Sequence, residues 1–179
     1  MTQTEPTSTP SGSGLPAELL AAGAECGRLL KSRGESVAVA EGSCGGLISA
    51  ALLAAPGASA YYLGGAVIYT LKALDGLLAG EVDRPARLRG ATEPWATHLA
   101  RGAKAHMDAT WGIGEGGAAG PSANPYGDPA GHAWVAISGP VEVAENVLTG
   151  QSDRQANMVS FAVAALQLLA ITLAGAVAD

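Results

Sequence analysis

The sequence predicts an α/β domain whose mixed β-sheet is covered by helices on both faces. The chain has 179 residues, of which 48% are hydrophobic and 15% charged, so it is long enough for one domain and apolar enough to bury a core. Short apolar runs alternate with amphipathic stretches, which is typical of a sheet with helices on both faces. A pair of short strands around Gly139-Pro140 resembles an antiparallel hairpin and indicates that the sheet is mixed.

The elements follow one another after a polar N-terminal segment, residues 1–14, which lacks the basic and apolar regions of a signal peptide and is predicted to be disordered. Residues 15–179 are expected to form one domain. Helices are predicted where apolar residues recur at helical spacing, and strands where short apolar runs are bounded by turn residues. The predicted helices are 16–33, 47–55, 71–79, 93–108 and 153 onward, and the predicted strands are 36–41, 61–70, 111–117, 132–138 and 141–144.

Composition excludes several classes of function. The net charge of −6 argues against a nucleic-acid-binding protein, which needs a basic surface, and against binding to anionic lipid. Cys26 and Cys44 lie in a predicted helix and a glycine-rich loop, so we expect no disulfide and a reducing, cytoplasmic location. The three histidines lack the spacing of zinc ligands, and we expect neither a metal nor a cofactor.

The uncharged stretch 155–178 is long enough to span a bilayer. It is rich in alanine, carries several polar residues and is not followed by a basic or aromatic belt. We therefore favour a buried helix, in the core or at a subunit interface, over a membrane anchor. On the same ground we expect a protein that is soluble without detergent and forms a homo-oligomer.

The glycine-rich loop after the first predicted strand, residues 41–46, is the first candidate site. A turn of this kind between a strand and a helix presents backbone N–H groups and the positive end of the helix dipole to an anion. It also places Ser43 and Cys44 at the carboxyl end of a strand, where open α/β sheets bind ligands. We expect a phosphate or sulfate at the start of the following helix; a tight turn without a ligand is the alternative.

Two further segments are candidates for the same edge of the sheet. Residues 116–121 are small residues followed by proline, which permits close approach of a ligand. Tyr69, Thr70 and Lys72 follow the second strand and offer a phenol, a hydroxyl and an ammonium group. The alternatives are an ordinary loop for the first segment and a solvated surface lysine for the second. Cys44 is a further candidate nucleophile, although no base for it is evident.

Taken together, the motifs resemble one known family. Their order and spacing from Leu15 to Leu173 are similar to the C-terminal domain family of the competence/damage-inducible protein CinA. The segments that carry the resemblance are AEGSCGG at 40–46, the helix end and strand at 52–65, Tyr69, Ala119-Gly120-Pro121, Pro129-Ala130-Gly131 and Asp153-Arg154.

The resemblance implies a three-layer α/β/α fold with a mixed, mostly parallel sheet, often in an oligomer. Stand-alone members are nicotinamide-nucleotide amidohydrolases of NAD salvage, so it also implies a small nucleotide ligand whose amide is hydrolysed to the acid and ammonia. In the family a serine attacks the amide, assisted by a lysine. The substrate-binding positions implied here are Glu41, Gly42, Cys44, Gly45, Gly46, Tyr69, Thr70, Ala119, Gly120, Pro121 and Arg154.

The chain departs from the family at both catalytic positions. Gly42 stands where the family has its serine, and Ser43 restores a hydroxyl only if the loop slips by one residue. Leu74 stands where the family has its lysine, and Lys72, two residues earlier, is turned about 200° away on a helix. Ser43 and Lys72 are therefore the catalytic candidates. An active amidohydrolase, an inactive nucleotide- or phosphate-binding domain and an oligomeric structural protein all remain open.

Two further departures concern the strands near the candidate loops. Glu115 stands in a strand position that is apolar in the family, and His132 replaces a threonine or similar residue. Together with the changes at the catalytic positions, they indicate a pocket that has been rebuilt.

Overall fold

The computed structural model describes residues 14–80, 82–86 and 88–176, so nearly all of the predicted N-terminal tail lies outside the described residues. Helices and strands follow the predicted order. The helices are α1 (Ala17–Arg33), α2 (Leu47–Ala54), α3 (Leu71–Leu77), α4 (Glu93–His106) and α5 (Arg154–Gly175), and the strands are β1 (Val37–Glu41), β2 (Tyr62–Val67), β3 (Trp111–Ala118), β4 (His132–Ser138) and β5 (Glu142–Leu148).

The five strands form one mixed sheet in the order β2-β1-β3-β4-β5. β1 pairs in parallel with β2 and β3, whereas β4 is antiparallel to both of its neighbours. Four strands therefore run in one direction and β4 runs against them, which confirms the predicted mixed sheet. The pairing of β1 with β3 places Glu41 directly opposite Glu115.

α1, α2 and α5 cover one face of the sheet and share its larger core. Phe161, Ala165 and Leu169 of α5 are fully buried there with residues of α1 and of the central strands. The carbonyl oxygen of Leu166 accepts a hydrogen bond from the Cys26 thiol, which ties α5 to α1. Packing within one chain therefore explains why part of the uncharged C-terminal stretch is apolar, as predicted for a buried helix.

By length and composition, α5 also passes the test for a membrane-spanning helix, as do many core helices. A single helix of this kind is weak evidence for a membrane span. The expected homo-oligomer stays a prediction, which light scattering can check.

α4 packs on the opposite face, directly against the backbone of β3. Gly112, Gly114 and Gly116 alternate along β3 and face this helix. A Cβ atom added at Gly112 or Gly114 would collide with a backbone carbonyl of α4, and one added at Gly116 would collide with the ring of Trp95. Because side chains alternate between the faces of a strand, Glu115 projects to the other side, toward the loop between β1 and α2.

Candidate functional site

Glu41, the last residue of β1, caps helix α2. One carboxylate oxygen accepts hydrogen bonds from the N–H groups of Gly46 and Ile48 at 2.9 and 3.1 Å. The other accepts from the N–H and the hydroxyl of Ser49 at 3.0 and 2.7 Å. The N–H groups that the first turn of a helix leaves without partners are thus bound by a carboxylate of the chain itself, which also interacts favourably with the helix dipole.

This cap changes the expected anion site. We expected a phosphate or sulfate at the start of α2 because its N–H groups would be free, and that premise is wrong for Gly46, Ile48 and Ser49. An anion bound there would have to displace the Glu41 carboxylate, which is fully buried. The glycine-rich turn therefore serves first to wrap the loop around a side chain of its own strand.

Glu115 performs a similar function for the preceding residues of the loop. Its Oε2 atom accepts hydrogen bonds from the N–H groups of Gly42 and Cys44 at 3.0 and 2.9 Å. Its Oε1 atom accepts a hydrogen bond from the hydroxyl of Ser43. Glu115 has no exposed surface, so Ser43, which carries the only hydroxyl in the glycine-rich loop 41–46, is in direct contact with a buried carboxylate.

Burial raises the pKa of Glu115, because removal from water disfavours the charged carboxylate. The hydrogen bonds from Ser43 and from the Cys44 N–H oppose this shift, while the nearby charge of Glu41 adds to it. Burial, together with the charges of Glu115 and Glu41, also raises the pKa of Cys44 well above its usual value. The thiol is therefore neutral at physiological pH, whereas a cysteine nucleophile requires the thiolate.

Ser43 borders two adjoining cavities of about 200 Å³ each. The first, which we name the aromatic cavity, has Trp95 and Tyr126 in its wall. The second, which we name the arginine cavity, has Arg154 in its wall. Ser43, Tyr69, Gly117, Asn124 and Pro125 line both cavities, so the hydroxyl-bearing residue lies where the two meet.

Arg154 links three segments that are distant in the sequence. It is the first residue of α5, whose N-terminus is capped by the carboxylate of Asp153 through the N–H of Ala156. Its guanidinium donates to the carbonyl oxygen of Gly120 at 2.8 Å and to the hydroxyl of Tyr69 at 3.5 Å. The Asp-Arg motif, the Ala-Gly-Pro loop and the tyrosine after β2 therefore meet beside the arginine cavity.

The structure brings together about half of the predicted site residues. Those that line the cavities are Gly42, Ser43, Tyr69, Ala119, Gly120 and Arg154. The predicted residues that line neither cavity are Glu41, Cys44, Gly45, Gly46, Thr70, Lys72 and Pro121.

Lys72 is exposed on α3, and the helical segment that the sequence predicts after Tyr69 is present. Thr70 begins that helix, because its hydroxyl accepts the N–H of Ala73 at 3.1 Å. The structure thus gives Thr70 a role in the fold and leaves Lys72 outside the wall of both cavities.

Several wall residues have no counterpart among the predicted site residues. Trp95 lines the aromatic cavity from α4, which the sequence predicts only as a helix. The segment 122–126 lies between the predicted strands 111–117 and 132–138 and is not among the candidate site residues. For Glu115 the sequence offers one signal, a charged residue at a strand position that is apolar in the family, but it does not indicate the contact with Ser43.

The loop that forms the outer wall is held by side-chain contacts. Asn124 donates to the carboxylate of Asp128 at 2.8 Å and accepts the N–H groups of Tyr126 and Asp128. Asp128 also forms an ion pair with Arg89 at 2.6 Å, and the Arg89 guanidinium lies 5.4 Å from the centre of the Tyr126 ring. These contacts order the loop although most of its residues are exposed.

His132, the other departure noted in the sequence, lies behind this loop. Its Nδ1 atom is buried without a hydrogen-bond partner, 3.8 Å from the Asp128 carboxylate, and His132 lines neither cavity. Within residues 14–80, 82–86 and 88–176, no three His, Cys, Asp or Glu side chains are grouped so that they could hold a metal ion.

The fold and the site define a three-layer α/β/α domain with two adjoining cavities beside the loop that follows its first strand. The family model of the CinA C-terminal domain matches residues 20–173, and the chain belongs to this family. The resemblance noted in the sequence is thereby confirmed.

Relatives and solved structures agree with this assignment. A CinA-like protein of Anaeromyxobacter sp. (strain K) is 36% identical over 146 residues, which are 80% of this chain and 35% of that protein. A CinA-like protein of Prochlorococcus marinus (strain MIT 9313) is 37% identical over 112 residues, or 63% of this chain and 26% of that protein. The chain thus spans about a quarter to a third of the length of these relatives.

Among solved structures, the competence/damage-inducible protein of Agrobacterium tumefaciens superposes with a TM-score of 0.80 at 26% identity, covering 90% of this chain and 99% of that one. A CinA superfamily protein of Klebsiella pneumoniae 700603 also gives a TM-score of 0.80, at 25% identity, covering 87% of this chain and 98% of that one. Both confirm the predicted fold.

Proposed function

We propose that the chain hydrolyses the amide of a nicotinamide nucleotide to the acid and ammonia, with Ser43 as the nucleophile. The observation that carries the proposal is the position of Ser43 at the junction of the aromatic and arginine cavities. A nucleophile at this point is accessible from both cavities, although only 6% of the residue is exposed. The membership in the CinA family supports the substrate class.

The two cavities differ in the way that such a substrate requires. Aromatic side chains such as Trp95 and Tyr126 favour a planar ring, while a guanidinium such as that of Arg154 favours a phosphate. In a nicotinamide mononucleotide the carboxamide is meta to the nitrogen that bears the ribose. With the ring in the aromatic cavity and the phosphate beside Arg154, the carboxamide stays near the junction and thus near Ser43.

Ammonia release from nicotinamide mononucleotide tests the proposal. We expect turnover by the wild type and a loss of several orders of magnitude in Ser43→Ala, because removal of a nucleophile abolishes the covalent route. Ser32→Ala is the matched control, since Ser32 lies exposed on α1 and bonds only to the carbonyl oxygen of Leu29. Wild-type turnover by Ser43→Ala would refute the assignment of the nucleophile.

A binding domain without catalysis is the second candidate, and one observation favours it. The N–H groups of Gly42 and Cys44 already donate to Glu115, so these two donors are not free to stabilise an oxyanion. A ligand that raises the thermal unfolding midpoint of the wild type while no ammonia is released would support this function instead.

A further inference from the structure

We propose that Glu115 is the general base that activates Ser43, in the place of the lysine that the family uses. The inference deepens the proposed function and rests on it for the identity of the amide substrate. The activation of the Ser43 hydroxyl by Glu115 does not depend on the proposed function and can be measured separately.

The first argument is the contact itself. The Ser43 hydroxyl donates directly to Oε1 of Glu115, the geometry that a general base needs before it can accept the proton. No intervening residue or loop movement is required. Lys72, the only lysine among the predicted site residues, is exposed and lines neither cavity.

The second argument is the way the carboxylate is held. Glu115 lies on β3, which is paired with β1 on one side and β4 on the other. Its Oε2 atom is fixed by the N–H groups of Gly42 and Cys44, the residues on either side of Ser43. One carboxylate oxygen thus orients the loop, and the other meets the hydroxyl. This rigid support keeps base and nucleophile aligned.

The third argument concerns charge. The titratable groups that face Glu115 are Glu41 on the neighbouring strand and Cys44 in the loop, and both are acids. Burial and the charge of Glu41 raise the pKa of Glu115, which makes its ionised form a stronger base than a solvated carboxylate.

The reaction step balances without a further reactant. As the Ser43 oxygen bonds to the amide carbon, its proton passes to Oε1 of Glu115 and the carbonyl electrons move to oxygen. When the C–N bond breaks, that proton passes to the leaving nitrogen, and ammonia departs. Water then attacks the acyl-serine, loses a proton to Glu115 and releases the acid, and the proton returns to the Ser43 oxygen.

Glu115→Gln separates this role from a purely structural one. In the glutamine variant the amide oxygen can still accept the N–H groups of Gly42 and Cys44, while the NH₂ group donates to the Ser43 oxygen. The packing and the hydrogen bonds of the loop are therefore preserved, but the side chain can no longer accept a proton. Glu145→Gln, on exposed strand β5, is the matched control for the same change of charge.

The rate at which a fluorophosphonate labels Ser43 measures activation of the hydroxyl without any amide substrate. In this reaction the serine oxygen bonds to phosphorus and fluoride leaves. We expect labelling at Ser43 in the wild type and in Glu145→Gln, and a loss of about 100-fold or more in Glu115→Gln, the range typical of a missing general base. Labelling of the wild type should increase with pH as Glu115 ionises and then level off, and the glutamine variant should lack this increase.

Each result decides one of the two proposals. Equal labelling rates in folded Glu115→Gln and wild type, or no labelling of wild-type Ser43, would overturn the role of Glu115. Glu115-dependent labelling without ammonia release would support the base and refute the amidohydrolase. Ammonia release by Glu115→Gln at the wild-type rate would support the amidohydrolase and refute Glu115 as the base. If Glu115→Gln does not fold, the wild-type pH profile decides, because an increase confined to the pKa range of lysine, near 10, would overturn the proposal.

Discussion

Glu41 and Glu115 lie opposite each other on neighbouring parallel strands and are both fully buried, yet they bind different parts of one loop. Glu41 binds the helical end, where all its hydrogen bonds go to Gly46, Ile48 and Ser49 at the start of α2. Glu115 binds the strand end, where one of its partners is the hydroxyl of Ser43.

The comparison shows that burial and charge alone do not identify a catalytic carboxylate. Both side chains stabilise the loop by accepting N–H groups. Only Glu115 also contacts a side chain that borders a cavity, so of the two only Glu115 can act on a bound ligand, through Ser43. A buried carboxylate is therefore a candidate for catalysis only when one of its hydrogen-bond partners is accessible to a substrate.

The largest expected effect concerns the pair of Ser43 and Glu115. If the two act as one unit, the double variant Ser43→Ala/Glu115→Gln should be no less active than Ser43→Ala alone, because a base without its nucleophile has nothing to activate. Steady-state ammonia release by the four proteins of this cycle measures the coupling. Additive losses in the cycle would mean that Glu115 acts independently of Ser43 and is, like Glu41, a residue of the fold.

The next effect concerns Glu41. Glu41→Ala removes four hydrogen bonds to a carboxylate and leaves buried N–H groups without partners, so we expect the free energy of unfolding to decrease by at least about 3 kcal/mol. Urea unfolding measures this, with Glu145→Ala as the exposed control. A variant of normal stability would show that water or another group replaces the Glu41 cap.

A smaller effect is the pH dependence of stability that Glu115 contributes. Because its pKa is raised in the folded chain, the protonated form is favoured on folding. The contribution is fully present below the unfolded pKa of about 4.3 and is lost as the pH rises through the higher folded pKa. Wild type should therefore lose stability relative to Glu115→Gln over this interval in urea unfolding at a series of pH values. A difference that stays constant with pH would contradict the shift.

The smallest effect is expected at Lys72. The side chain is exposed on α3 and lies outside both cavities, so Lys72→Ala should reduce turnover by less than about tenfold, or about 1.4 kcal/mol of barrier. Ammonia release measures this against the wild type. A large loss would transfer the role of base from Glu115 back to a lysine.

Much of the fold follows from local patterns in the sequence. Apolar periodicity and turn residues place all ten predicted helices and strands in order, and the largest error is strand β5, which continues to Leu148 instead of ending at residue 144. Local signals are sufficient to predict the helices and strands, because each one has its own spacing of apolar residues and its own boundary residues.

The site depends on contacts between residues that are distant in the sequence, and such contacts could not be predicted from local patterns. Glu115 is more than 70 residues from Ser43, and only the pairing of β1 with β3 brings them together. The glycine-rich loop suggested free N–H groups, but whether they remain free depends on where the side chains of Glu41 and Glu115 point. The resemblance to the family directed attention to Ser43 and Arg154, whereas it gave no reason to include Trp95 or Tyr126.

The alternating glycines of β3 limit how the shape of the aromatic cavity can change. Every substitution of glycine adds at least a Cβ atom, and at Gly112 or Gly114 that atom would force α4 away from the sheet. A substitution at either glycine would therefore also displace Trp95, which lies in the inner wall of the aromatic cavity. In the outer wall, residues 122–126, most side chains are exposed, so substitutions outside the contacts of Asn124 and Tyr126 can change the cavities without moving α4. The glycines of β3 thus tie the position of the inner wall to the packing of the sheet, whereas the outer wall is not tied to it in this way.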